Sequence, residues 1–171
     1  MTRVVRLRLV RITTLAEYGV ICALHLARRR GDGPVTGREI AEVEKLPADY
    51  VEQILLRLRR AGIVRSTRGA RGGYMLARRS EEISIRDVIE ASETTTFDLH
   101  CQSHPVGEER CSTSHSCSIR PVWMLLQRKI DDVLSNVHLS DLLGGESEVK
   151  TRVGLEQRQP PDGRSLPVLQ Y

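Results

Sequence analysis

Apolar positions recur every three or four residues along much of this 171-residue chain, the spacing of helices that bury one face. Leu15, Tyr18, Cys22 and Leu26 mark the first such face. Arg28, Arg29 and Arg30 follow it, where a helix dipole favours cations. The pattern predicts a helix over residues 14–30, closed by the loop Gly31, Asp32, Gly33, Pro34. Thr36 and Glu39 then have capping-box spacing, and Ile40, Ala41 and Val43 give a second helix its apolar side. Leu46 and Pro47 interrupt it. A third helix, with Pro47 in its first turn, is predicted to run to Ala61. It turns Val51, Ile54, Leu55 and Leu58 inward and Gln53, Arg57 and Arg60 outward, and Gly62 ends it.

Two such helices joined by a short break read as a helix-turn-helix, a pattern any helical hairpin shares. The next residues narrow it. Ile63 and Val64 begin a strand, residues 65–73 are a turn rich in Arg and Gly, and Tyr74, Met75 and Leu76 return, which makes a β-hairpin wing. Ser84 caps a short helix ending near Ser92. Residues 93–118 lack periodicity. Pro121 then opens a long helix in which Trp123, Leu126, Ile130, Val133 and Val137 form a heptad seam, suited to a second copy of the chain or to the helix's own domain. From Gly144 onward the chain has little to bury and is expected to be disordered. The fold class is therefore mainly α with a small β-hairpin wing. Its segments are a winged helix-turn-helix over 10–92, a cysteine-bearing loop over 93–118, a dimerisation helix over 119–143 and a tail over 144–171.

Composition agrees with helices. The chain is 40% hydrophobic but only 4% aromatic, so its core is aliphatic, which disfavours a β-sandwich. No apolar run is long enough for a membrane span, and the cluster near residues 20–27 is interrupted by Cys22 and His25, which are awkward in a signal peptide. No membrane association is expected, and the chain is read as cytoplasmic.

The formal net charge of +4 includes 26 Lys and Arg, and 23 of these are Arg. A GC-rich genome favours Arg codons, yet the distribution says more. Between Arg57 and Arg79 lie eight Arg (57, 59, 60, 65, 68, 71, 78 and 79) and no Asp or Glu. A merely solvated face would mix both signs, so this run points to double-stranded DNA. Gly69, Gly72 and Gly73 would let the wing tip approach a groove closely.

Three of the four Cys, Cys101, Cys111 and Cys117, share one loop with nine and five residues between them. In a reducing compartment such a cluster suits an iron–sulfur centre or zinc, and a disulfide would leave one Cys over. Cys22, on the apolar face of the first helix, reads as core.

Taken together, Arg11-Ile12-Thr13, Tyr50-Val51-Glu52-Gln53-Ile54-Leu55 with Leu58-Arg59, Ser66-Thr67-Arg68-Gly69 with Gly72-Gly73-Tyr74, and the three-Cys loop before a long helix resemble the Rrf2 family of bacterial winged-helix regulators. The resemblance covers residues 10–143. It implies a homodimeric transcription factor, most often a repressor, whose [2Fe-2S] or [4Fe-4S] cluster adjoins the dimer helix and biases how the winged helices meet promoter DNA. Cys101, Cys111 and Cys117 would be ligands, joined by a fourth that is not Cys. In the iron–sulfur cluster regulators of the family a His follows the last Cys by three residues, and here Arg120 stands there. The nitric-oxide-sensitive repressors take a carboxylate from the first helix of the partner subunit, and Glu17 matches that position. His104 and His115 compete with Glu17, and His100 less so. The first Cys gap is longer than the five residues common in these relatives.

Carried over residue by residue, the resemblance places Tyr50, Glu52 and Gln53 in the major groove and Arg68 in the minor groove. Arg65, Arg71, Thr36 and Arg38 fall near phosphates, and Arg57 joins them from the basic run. Asp49 stands where relatives often carry a small hydroxyl residue. The family usually begins Met-Arg-Leu-Thr, aligned here with Val10-Arg11-Ile12-Thr13, so a GTG start at Val10 is expected, with residues 1–9 an extension. Two other readings remain: a winged-helix regulator holding structural zinc or a thiol switch at the same cysteines, and a redox protein with an incidental basic face. No nucleophile and base pair or phosphate loop supports an enzyme.

Overall fold

The segments of the helix-turn-helix and wing take up their expected order in a computed structural model that describes residues 12–69, 71–93 and 117–154. Helix α1 (Thr14–Arg28) starts at Thr13, whose hydroxyl accepts the Ala16 N–H at 3.2 Å. It ends two residues earlier than its basic run implied, because Arg29 is already the cap. In α2 (Gly37–Glu44), Thr36 accepts the Glu39 N–H at 3.1 Å. The Glu39 carboxylate does not complete a capping box but pairs with Arg29 at 3.0 Å, tying α2 to the end of α1. Helix α3 (Ala48–Arg60) has Pro47 as its cap rather than within its first turn. Between α2 and α3, Lys45 takes a left-handed φ of 58°.

Strands β1 (Val64–Thr67) and β2 (Gly73–Leu76) pair antiparallel, with Val64 opposite Leu76 and Thr67 opposite Gly73. Val35 adds a bridge on the far edge of β2, its N–H and carbonyl both bonded to Tyr74, at 2.9 and 2.7 Å. This corrects the reading of the wing glycines. A Cβ on Gly73 would lie 2.5 Å from the Val35 carbonyl oxygen, and one on Gly72 would lie 2.4 Å from that of Thr67. Both are glycines because backbone crosses backbone within the wing itself. Gly69, at φ +115°, alone faces open space at the tip.

Ser84 and Asp87 form a reciprocal capping box, both arms 3.1 Å, that starts α4 (Ile85–Ser92). Beyond residue 116, Arg120–Asn136 form α5, with Pro121 in its first turn. The chain then returns to the domain. Val137 accepts the Ile85 N–H at 2.8 Å, Leu139 donates to Ile83 at 2.9 Å, and the fully buried Leu139 side chain enters the core. That core joins Cys22 and Leu26 of α1, Ile40 of α2, Val51, Ile54, Leu55 and Leu58 of α3, and Val88 of α4. Each such aliphatic side chain contributes about 1.5–3 kcal/mol through burial.

One further difference concerns the stretch after Gly144. The tail expected to be disordered from Gly144 carries a helix, α6 (Glu146–Arg152), supported by an ion pair from Lys150 to Glu146 at 2.6 Å and by an Arg152 bond to the Ser140 carbonyl at 3.2 Å. These are local electrostatic supports that a hydrophobic pattern does not register. Residues 1–9 and 155–171 lie outside the described residues, as does most of the cysteine loop.

Candidate nucleic-acid interface and cysteine site

The eight arginines without an acid divide by what their guanidinium groups touch. Arg57 is half-buried, and its Nη1 donates to the Ser92 carbonyl at 2.6 Å. Arg59 donates to the Ser66 hydroxyl at 3.3 Å. Arg78 pairs with Asp87 at 3.7 Å and bonds the Glu82 carbonyl, and Arg79 pairs with Glu81 at 3.3 Å. Arg60, Arg65, Arg68 and Arg71 are exposed, and their guanidinium groups have no hydrogen bond or ion pair among the described residues. The basic run thus resolves into four bound guanidiniums and four turned to solvent on the end of α3 and the wing. Arg57, expected at the DNA, is engaged within the domain by a charge-assisted bond to a helix-end carbonyl.

At the front of α3, Tyr50 is 44% exposed and packs edge to face against Tyr18 of α1, with ring centroids 6.1 Å apart. Gln53 is exposed beside it. Glu52 is also exposed but is engaged: Tyr74 of the wing donates its hydroxyl to Oε2 at 3.4 Å. Oε1 lies over Gly37 so closely that a Cβ there would be 2.1 Å away. Burial and the nearby Glu52 charge push the Tyr74 phenol above its ordinary pKa, which keeps it a donor. Thr36 is exposed at the amino end of α2, and Arg38, the second residue of that helix, shares an ion pair with Glu42 at 2.8 Å, which raises its already high pKa. These side chains all belong to α2, α3 and the wing.

Of the cysteine site, the described residues hold Cys117 and Glu17. Cys117 is half-buried just ahead of α5. Glu17 stands exposed in the first turn of α1, and its carboxylate meets no hydrogen-bond donor or cation among the described residues. Cys101, Cys111, His100, His104 and His115 lie outside the described residues. Among those described, no group of three His, Cys, Asp or Glu converges as a metal site. Cys22 is fully buried, and desolvation, then the Glu44 charge, push its thiol up to about 12, so it is a core residue as its pattern implied.

Sequence reasoning missed several polar positions. His25 is buried, with Nδ1 2.7 Å from the Glu44 carboxylate, and it joins α1 to α2. Glu44 offered no periodic signal. Gly19, a glycine within a helix, was a legible signal of close packing, and a Cβ there would lie 2.0 Å from the Ser92 hydroxyl.

A recognition helix braced by α1 and α2, followed by a wing with exposed arginines, defines a winged-helix DNA-binding regulator. Residues 12–145 match the family model described as Rrf2, iron-dependent transcriptional regulator. The chain belongs to the Rrf2 family of transcriptional regulators. It is 32% identical to the HTH-type transcriptional regulator IscR of Yersinia pseudotuberculosis over 156 residues, 90% of this chain and 93% of that one. Among solved structures it resembles IscR of T. potens, at 34% identity and a TM-score of 0.62, covering 78% of this chain and 85% of that one. It also resembles CymR, the global cysteine regulator of B. subtilis, at 29% identity and a TM-score of 0.65, covering 78% and 95%. No described helix is long and apolar enough to cross a membrane.

Proposed function

We propose that the chain acts in the cytoplasm as a homodimeric repressor whose binding to promoter DNA is modulated by an iron–sulfur cluster held at Cys101, Cys111 and Cys117, with Glu17 of the partner subunit as fourth ligand. The observation that supports the ligand set best is the Glu17 carboxylate, exposed at the start of α1 and without a donor or cation among the described residues. A carboxylate exposed there is accessible to a neighbouring subunit. Cys117 stands next to the helix through which that subunit would pack. Three thiol donors and one carboxylate suit iron in a cluster, which, when bound, supplies a centre open to ligand exchange and electron transfer.

Dimerisation rests on α5. It has no fully buried residue, and Val122, Trp123, Met124, Leu125 and Val133 are exposed along about 17 Å of the helix. An apolar surface of that extent on a polar chain calls for a partner, and the heptad spacing of Trp123 and Val133 suits a second α5. On the DNA, Tyr50, Gln53 and Glu52 would meet base edges, where Gln pairs with adenine and Glu accepts from cytosine. Arg68 would enter the minor groove, while Arg60, Arg65, Arg71 and Thr36 meet phosphates; Arg38, expected beside them, is compensated by Glu42 and adds no counterion release.

The similarity to CymR favours a second reading in which the same cysteines act as a thiol switch. Purification without oxygen, followed by assay of iron, acid-labile sulfide and zinc and by visible spectroscopy, separates the two. Iron and sulfide in equal amounts with visible absorption are expected. Colourless protein, or stoichiometric zinc, would overturn the cluster. A Glu17→Ala variant with unchanged spectrum and cluster lifetime would remove Glu17 from the ligand set.

A further inference from the structure

The end of α4 is tied to both helices that carry the functional groups. The Ser92 carbonyl accepts from Arg57 of α3 at 2.6 Å. The fully buried Ser92 side chain, its hydroxyl bonded to the Val88 carbonyl at 2.7 Å, lies against Gly19 of α1 with no room for a Cβ. Glu93 accepts the hydroxyl of Thr13, the cap of α1. Residues 92 and 93 are thus pinned at two points to α1 and at one to the recognition helix, immediately before the segment that carries Cys101 and Cys111.

The geometry on α3 gives this joint its leverage. Arg57 lies seven residues, two helical turns, after Tyr50 and on the same face. Tyr50 is held by Tyr18, next to both Glu17 and Gly19. Beyond the buried face of Val51, Ile54, Leu55 and Leu58, the recognition helix is thus braced at its front by α1 and at its back by the end of α4. Gln53, one turn from Arg57, lies between those braces.

We infer that Arg57 is a positioning residue that couples the recognition helix to the cysteine segment through the Ser92 carbonyl. It meets no DNA itself. A displacement of residues 92–93 pulls on the guanidinium, and in reverse DNA docking on α3 is felt at the end of α4, since coupling between two sites is reciprocal. This rests on the proposed control of DNA binding from the cysteine segment and names the residue that transmits it.

The test is hydrogen exchange on the full chain, with and without a saturating duplex enriched from a randomised library. In the wild type the duplex is expected to slow exchange in α3 and to change it about fivefold or more at residues 90–93. In Arg57→Met the α3 protection stays and the change at 90–93 is lost. Arg57→Lys, which keeps a donor of similar reach, retains it. Where the Met variant does not fold, Arg57→Gln, polar but too short to reach Ser92, takes its place with the same expected loss. A change at 90–93 that persists without the guanidinium overturns the inference, and so does α3 protection in the wild type without any change at 90–93. If no duplex protects α3 in the wild type, the DNA-binding reading itself falls, an outcome distinct from both.

Discussion

Alanine at Arg71 should flatten the salt dependence of DNA binding, whereas alanine at Arg79 should not, although both belong to the same acid-free run. Arg71 is exposed on the wing with no ion pair among the described residues, while Arg79 is bonded to the Glu81 carboxylate at 3.3 Å. A guanidinium that meets a phosphate releases condensed counterions, worth about 0.9 in log-log slope per contact. In a dimer each substitution removes two contacts, so Arg71→Ala should lower the slope by about 1.8. Between 50 and 200 mM salt that makes the variant's affinity fall roughly tenfold less than the wild type's. The Arg79 charge is compensated by Glu81, so its loss leaves the slope near its starting value. Arg65→Ala should follow Arg71, and Arg68→Ala should in addition relax any preference for A·T in the minor groove. Fluorescence anisotropy of a labelled duplex across a salt series reads all four. Equal flattening by Arg79→Ala, or an unchanged slope in Arg71→Ala, would refute the division of the arginines by their partners.

Three further outcomes follow from packing. Leu139→Ala empties a fully buried site that anchors the end of α5, and should cost about 2–5 kcal/mol in denaturant unfolding; a cost under 1 kcal/mol would mean that α5 does not depend on that anchor. Val133→Asp, at a side chain 61% exposed in the single chain, should leave the far-ultraviolet spectrum intact but shift sedimentation toward monomer; an unchanged dimer would move the interface elsewhere. Cys22 should resist iodoacetamide at pH 8 in the native protein and react only after unfolding, as peptide mass mapping would show, because its thiol is pushed up to about 12 and is buried; rapid native labelling would contradict that burial.

Much of the fold was legible because its signals are local. The Thr36 and Ser84 caps, the inward set Val51, Ile54, Leu55 and Leu58, and Cys22 as core all depend on residues within a turn or two of one another. What was not legible depends on which distant backbone arrives. The outward position of Arg57 on α3 was read correctly in register, yet the Ser92 carbonyl comes to it from α4, 35 residues on. Gly73 was assigned to DNA because nothing in the wing sequence says that Val35 will cross it. Glu52 carries the residue type for base recognition, but its engagement by Tyr74 and Gly37 needs three elements assembled. The helix Glu146–Arg152 escaped notice because ion pairs and caps support it rather than an apolar face.

The most direct measurement is the affinity of one oxygen-free preparation for its selected duplex before and after the cluster is removed by a chelator, at fixed salt. Control of DNA binding from the cysteine segment predicts affinities that differ by about fivefold or more, the lower range of ordinary coupling between sites. Identical affinities for the loaded and stripped dimer would contradict it.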